Sequence, residues 1–183
     1  MSADVSARLA WPDDVRAIAA LQAAAWHERY RDVVEDEVLA QVDATTLAPG
    51  WASLVVRPPD ARVRVLVALE RATVRGFVLV SPSDDPDADP VSDALVAELV
   101  VAEGHRGQGH GSRLLHAAID TMRSDGFTTA HWWLDTTDDA LRSFVTSSGW
   151  AADGAHRELE SEVGGRLRQV RLHTDLAAGP TDA

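Results

Sequence analysis

The run Arg106-Gly107-Gln108-Gly109-His110-Gly111 constrains the fold of this chain more than any other stretch. It follows an apolar segment from Ala94 to Val101. It opens a segment in which Leu114, Leu115, Ala118, Ile119 and Met122 recur on one helical face. A strand, a glycine-rich turn and a helix, in that order, leave unpaired backbone N–H groups at the helix start, and the helix dipole adds partial positive charge there. Such a terminus suits a phosphate or pyrophosphate, and glycines let the phosphates come close to the backbone.

The spacing sorts among the phosphate loops. A Walker A loop ends in Gly-Lys-Ser/Thr, whereas all 17 basic residues of this chain are arginine. A dinucleotide-binding fingerprint needs G-x-G-x-x-G near the first strand of a βαβ unit, and here the third glycine is misplaced and the loop lies past mid-chain. What fits is R/Q-x-x-G-x-G/A after a strand ending in valine. That pattern resembles the acetyl-CoA loop of the GCN5-related N-acetyltransferases, the GNAT superfamily. Ala97-Glu98-Leu99-Val100-Val101 looks like the family's fourth strand, whose splayed edge takes the pantetheine arm. Asp138 to Trp150 is similar to its later motif N-x-x-A-x-x-F-Y-x-x-x-G-F, with Leu141, Phe144, Gly149 and Trp150 in register. Near the start, Ala25-Trp26-His27-Glu28-Arg29-Tyr30 resembles the S-W-R-x-x-Y segment of one branch. The similarity spans residues 5 to 176.

The remaining elements agree with that resemblance. Periodicity and breakers predict a strand at 5–10, helices at 13–29, 35–42 and 45–56, and a hairpin from 62–69 to 74–80. A strand at 94–102, a helix at 109–125, a strand at 129–135 and a helix at 138–148 follow. Two late strands, 151–160 and 167–176, form a hairpin around Gly164-Gly165. The resemblance implies an α/β GNAT fold, a mixed and mostly antiparallel sheet flanked by helices. One domain is expected over residues 1–176, with 177–183 as a disordered tail.

Composition narrows the function. A formal net charge of −12 argues against a nucleic-acid partner and favours a cationic acceptor. The absence of cysteine excludes disulfides, thiolate metal sites and a cysteine nucleophile. No apolar run approaches the roughly 18 residues of a membrane span, and the first residues lack the apolar centre of a secretory signal, so a cytoplasmic location is expected. No metal is expected. Asp85-x-Asp87-x-Asp89 lacks the Gly and Glu of a calcium loop and reads as a solvated turn, and His110 and His116 fall on different helix faces.

Acetyl transfer to an amine needs a held thioester, a neutral nucleophile, a stabilised oxyanion and a protonated leaving thiolate. The resemblance assigns the first to Leu99, Val100 and Val101, the backbone of Gly107, Gln108, Gly109, His110, Gly111 and Ser112, the Arg106 charge, and Asp138 in place of the motif's asparagine. Arg113 is weighed evenly between a phosphate contact and plain surface. Glu98 is the candidate general base, since an amine arrives as ammonium and must lose a proton; the alternative is a glutamate paired with an arginine on the sheet. An amide near Val100 or Val101 would meet the oxyanion. Trp26, Tyr30 and Trp133 are candidate acceptor contacts, with His27, Trp51 and Trp132 weighed beside them.

One departure stands out. The family tyrosine that protonates the thiolate is replaced by Val145, and the sole tyrosine is Tyr30. Tyr30 therefore becomes the candidate acid, with Ser143, Thr146, Ser147, Ser148 or water as substitutes. The expected function is acetyl-CoA-dependent N-acetylation of a small primary amine. The alternatives are a protein or peptide N-acetyltransferase, or a non-catalytic acyl-CoA sensor. The resemblance also admits a homodimer.

Overall fold

The computed structural model describes residues 5–160 and 165–177. Strand β1 (Val5–Leu9) leads through a short 3₁₀ turn into α1 (Val15–Tyr30), followed by α2 (Asp36–Leu39) and α3 (Ala44–Val56). Then come β2 (Arg64–Glu70), β3 (Thr73–Pro82), β4 (Asp93–Val101), α4 (His110–Ser124), β5 (Thr129–Asp135), α5 (Asp139–Ser147), β6 (Ala151–Glu160) and β7 (Arg166–Asp175). The strands form a seven-stranded sheet in the order β1-β2-β3-β4-β5-β7-β6. Every pairing is antiparallel except that of β4 with β5.

Several boundaries differ from the sequence expectations. The helix expected from 13 begins with a 3₁₀ turn, because the Asp14 carboxylate turns back to accept from Trp11 N–H at 2.7 Å and from Arg8 at 2.6 Å. The helix at 35–42 shrinks to the single turn Asp36–Leu39. Strand β3 runs on through Ser81 and Pro82, which pair with Leu95 and Ala94. Gly164, at the expected tip of the late hairpin, lies outside the described residues, as does the expected tail beyond Ala177.

Residues Val65 to Leu69 of β2 are apolar without a break, as a strand covered on both faces requires. Val65, Val67 and Leu69 face α1 and α3, joined by Phe77 and Val100. Leu66 and Ala68 face α4, together with Val78, Val96, Leu99 and Leu114. The buried side of α1 is formed by Val15, Ile18, Ala19, Gln22 and Ala23.

Two irregularities in β4 shape the rest. Leu79 opposes Glu98 while Val80 opposes Val96, so Ala97 is one residue too many and forms a bulge. Simple alternation would place Ala94, Val96 and Glu98 on one face. The extra residue reverses the order: Ala94, Val96 and Leu99 join the α4 core, while Val100 joins the α1 core. Glu98 thereby turns to α1. In addition, β4 and β5 pair only from Asp93/Thr129 to Val96/Trp132, although β4 continues to Val101 and β5 to Asp135. Past Val96 the two strands part and leave a cleft between their ends.

Gly76 on β3 sets how closely β3 approaches β4 at that end of the strand. A Cβ there would stand 2.6 Å from the Val100 carbonyl oxygen and 3.1 Å from Leu114 Cδ1. Gly76→Ala must push β3 from β4, and overpacking of this kind costs about 1–3 kcal/mol. Urea denaturation should show a lower midpoint of that size with an unchanged slope.

Candidate active site

The α4 end of the cleft is built by the glycine loop. Gly107 and Gly109 adopt φ of +73° and +85°, the left-handed region that other residues enter at a cost. Gly109 caps α4, and the first helical bond runs from Arg113 N–H to the Gly109 carbonyl at 3.1 Å. The amides of His110, Gly111 and Ser112 thus lack intrahelical acceptors and lie at the positive end of the dipole. Gly107, Gly109, Gly111 and Ser112 border a groove of about 830 Å³. Leu99, Val100 and Val101 form its strand wall, and Leu141 and Phe144 face them from α5.

Other loop residues are engaged with the protein itself. The Arg106 guanidinium makes two bonds to the Glu28 carboxylate, at 2.8 and 2.6 Å, across the groove mouth. That bond holds the Glu28 carboxyl below its usual range. Gln108 does not border the groove; its Nε2 donates to the Gly104 carbonyl at 3.2 Å and braces the loop. His110 is buried, with its ring 6.2 Å from that of His105, so burial lowers its pKa and only its backbone is available to a ligand. Arg113 folds back on the loop, with Nη1 3.5 Å from the Gln108 carbonyl. Asp138 borders the groove but caps α5, accepting from Leu141 N–H at 3.0 Å.

A second, smaller cavity of about 210 Å³ opens from the same cleft, with Trp26, Tyr30, Glu98 and Trp133 in its wall. Leu99, Arg29, Asp135, Asp138 and Leu141 border both spaces, so the groove and the cavity meet where β4 and β5 part. Tyr30 lies edge-on to Trp26 with centroids 6.1 Å apart, and burial raises its phenol pKa. Of the other aromatic candidates only Trp132 also borders this cavity, and each is engaged with the protein itself. Trp51 is buried in the α1 core, Trp132 packs on Trp150 at 5.9 Å, and His27 Nε2 lies 2.8 Å from the Val42 carbonyl.

Glu98 stands at the junction. Gln22 Nε2 donates to its Oε2 at 2.6 Å and Trp26 Nε1 to its Oε1 at 2.8 Å. Trp51 Nε1 donates to Gln22 Oε1 at 2.7 Å. An indole only donates, so Trp51 orients the Gln22 amide with its NH₂ towards residue 98. The site therefore offers two donors and calls for a side chain that accepts twice, which a carboxylate does. Among the described residues no arginine pairs directly with Glu98; the Arg29 charge acts on it from nearby. Burial raises the Glu98 pKa, with the two hydrogen bonds and Arg29 opposing.

The alternation of β4 also separates the two candidate oxyanion donors. Ala102 N–H bonds to the Arg75 carbonyl on β3 at 2.8 Å. Two residues earlier the Val100 amide points the same way, which turns the Val101 amide to the cleft. Val145 is fully buried in the α4 core, while Ser147 and Ser148 both donate to the Phe144 carbonyl.

The aspartate-rich turn is more than solvated. Asp85 is 7% exposed at its side chain, accepts from Trp133 Nε1 at 3.0 Å and pairs with Arg171 at 3.3 Å. Arg171 also holds Asp87 at 2.6 Å, which draws that carboxyl down to about 2, and Asp153 at 2.6 Å. Spacing alone concealed this because the cation comes from β7, 86 residues away from Asp85. Among the described residues no group of three His, Asp or Glu could hold a metal ion, and no helix is long and apolar enough to cross a membrane.

Sequence reasoning missed Gln22, Arg29, Asp135, Gln169 and Arg157. For Gln22 a signal existed: with Trp26 and Tyr30 it repeats every fourth residue of α1, one face of one helix. Asp135 and its neighbours depend on the order of β5, β7 and β6 in the sheet.

Comparison with known proteins fits this architecture. The Acetyltransferase (GNAT) family profile matches residues 18–150. The chain belongs to that family. It is 30% identical over 152 residues to a mycothiol acetyltransferase of Kineococcus radiotolerans, a match that covers 80% of this chain and 47% of that protein. A mycothiol acetyltransferase of Nocardiopsis dassonvillei is 30% identical over 126 residues, 64% of this chain and 35% of its own. The chain thus spans half or less of the curated relatives it matches. Among solved structures, a putative acetyltransferase of Salmonella typhimurium with its cofactor acetyl-CoA superposes with a TM-score of 0.71 at 19% identity, covering 98% of this chain and 99% of that one. A ribosomal-protein-alanine N-acetyltransferase of Brucella melitensis gives 0.73 at 21% identity, covering 92% and 98%.

Trp26→Phe removes one donor to the Glu98 carboxylate. Because that bond favours the ionised form, the Glu98 pKa should rise further. A carboxyl NMR titration of the two proteins measures the shift, and an unchanged or lower value would contradict the hydrogen-bond assignment.

Proposed function

We propose that this chain is an acetyl-CoA-dependent N-acetyltransferase that acts on a small amine. The observation that carries this reading is the half-buried Glu98 carboxylate in the wall of a cavity of about 210 Å³ that meets a groove of about 830 Å³. The first space suits the pantetheine and pyrophosphate of a coenzyme A thioester, with the phosphates on the α4 amides. The second is small enough to favour a compact amine over a peptide segment.

The groups present account for each chemical need. Glu98 takes a proton from the acceptor ammonium, directly or through water, and the freed lone pair attacks the thioester carbonyl. The oxyanion forms beside the Val101 amide, which is fixed in place before reaction. Collapse breaks the C–S bond and expels the thiolate, which takes a proton. Tyr30 is the phenol within the acceptor cavity, and its raised pKa keeps it protonated and able to give that proton. Thiolate is itself a good leaving group, so chemistry proceeds with Val145 at the usual tyrosine position. The relatives named as mycothiol acetyltransferases support an acyl transfer to a small acceptor.

Acetyl-CoA turnover, followed by free thiol release against a panel of small amines and short peptides, tests the reading. Acceptor-dependent release supports it; tight acetyl-CoA binding without release from any acceptor supports the sensor instead. In Glu98→Gln, kcat should fall about 10²–10⁴-fold while acetyl-CoA affinity holds. The base must be ionised to act, so the wild-type kcat/KM should fall as pH drops through a midpoint above the usual carboxylate range. Glu98→Gln should lose that limb.

The Glu28–Arg106 pair makes a further prediction about the phosphate end. Arg106 gives its charge to a pyrophosphate only by leaving Glu28. An exposed pair is worth about 0.2–1 kcal/mol, so Glu28→Ala should tighten acetyl-CoA binding up to about fivefold by calorimetry. Weaker binding would place Arg106 outside the phosphate site.

A further inference from the structure

One transverse row of the sheet carries three polar side chains in register. Asp135 on β5 opposes Gln169 on β7, and Gln169 opposes Arg157 on β6. Gln169 Nε2 donates to Asp135 Oδ1 at 2.7 Å, and Arg157 Nε donates to Gln169 Oε1 at 2.8 Å. A carboxylate only accepts and a guanidinium only donates, so the amide between them has a single orientation. Arg157 also lies over the Trp133 ring, 4.3 Å from its centroid, and Trp133 is itself tethered to Asp85. The guanidinium is therefore held at Nε and against one face, on the wall of the smaller cavity.

Its two Nη groups make no hydrogen bond, and no carboxylate lies within ion-pair distance among the described residues. Three other arginines are paired with carboxylates: Arg29 with Asp135 at 3.9 Å, Arg106 with Glu28, and Arg171 with three aspartates. Partial burial without a counter-ion lowers the Arg157 pKa from its ordinary value, with Asp85, Asp84 and Asp135 acting from a distance in the opposite sense.

We infer that the Arg157 fork receives an anionic oxygen group, a carboxylate or a phosphate, carried by the same acceptor whose amine meets Glu98. The inference rests on the N-acetyltransferase reading and names its substrate class. A planar guanidinium with two free Nη groups matches such an anion with two parallel hydrogen bonds. The sheet order sets an outer limit on the acceptor's length: Glu98 on β4 and Arg157 on β6 are three places apart, and the Arg157 side chain reaches back over Trp133 on β5 to border the same cavity. The acceptor is an amine whose anionic group is several bonds away.

The test compares kcat/KM for ω-amino acids of increasing chain length with the matched neutral amino alcohols. In the wild type the longer acids should be preferred about tenfold or more, the range of a charge-assisted pair. In Arg157→Gln that ratio should fall towards one with the KM for acetyl-CoA unchanged. In Arg157→Lys, which keeps the charge and loses the fork, part of it should remain. Arg157 is exposed on an edge strand, so both variants should fold, and their thermal midpoints check this. Equal use of both series by the wild type, or a preference that survives Arg157→Gln, overturns the inference and leaves the transferase standing. Absence of thiol release with either series and with the wider amine panel removes both.

Discussion

Past Val96, strand β4 has lost its partner in β5, and the candidate site depends on that parting. A parallel pair that stayed closed to its end would bury the Val101 amide in a ladder bond and leave no room between Glu98 and Asp135. The bulge at Ala97 is the companion feature, because it sends Glu98 to α1 instead of into the apolar α4 core. Had the alternation continued, the carboxylate would take the place of Leu99 against Leu114 and Val145, where a lone charge costs several kcal/mol or is neutralised. A single inserted residue thus decides whether the Glu98 carboxylate lies in an apolar core or between the Gln22 and Trp26 donors.

The electrostatics of the cleft follow from its donors. Glu98 sits where burial disfavours its charge and where Gln22 and Trp26 favour it, and burial wins by enough to raise the pKa. The polar network does not end at the cleft. From Asp135 it runs through Gln169 to Arg157, and from Trp133 through Asp85 to Arg171, so the β5–β7–β6 part of the sheet is ordered by hydrogen bonds and ion pairs. Helices α1 and α3 pack over the β2–β3 half of the sheet.

Much of the site was readable in the chain itself. The glycine loop, the helix behind it and Glu98 on the preceding strand all follow from local order, and so does the pairing of Trp26 with Tyr30 on one helix face. The elements lie within a few residues of where periodicity places them. What could not be read was which side chains each candidate meets. Asp138 matches a family motif by position, yet its carboxylate is spent on capping α5. Arg106 matches the loop pattern, yet a glutamate 78 residues earlier holds it. The aspartates of the 85–89 turn looked solvated because Arg171 reaches them only through the β5–β7 pairing.

The sequence by itself determined the strand–loop–helix that can hold a phosphate, the absence of any thiol or lysine chemistry, and the single tyrosine available as an acid. These rest on backbone conformations and residue types, which neighbours a few positions away settle. The tertiary structure alone decided the face that Glu98 presents, the amide left facing the cleft, and the row that carries Arg157. Those depend on one bulge, on where two parallel strands stop pairing, and on β7 lying between β5 and β6. Register is a property of pairs of strands, and a pattern along one strand does not carry it.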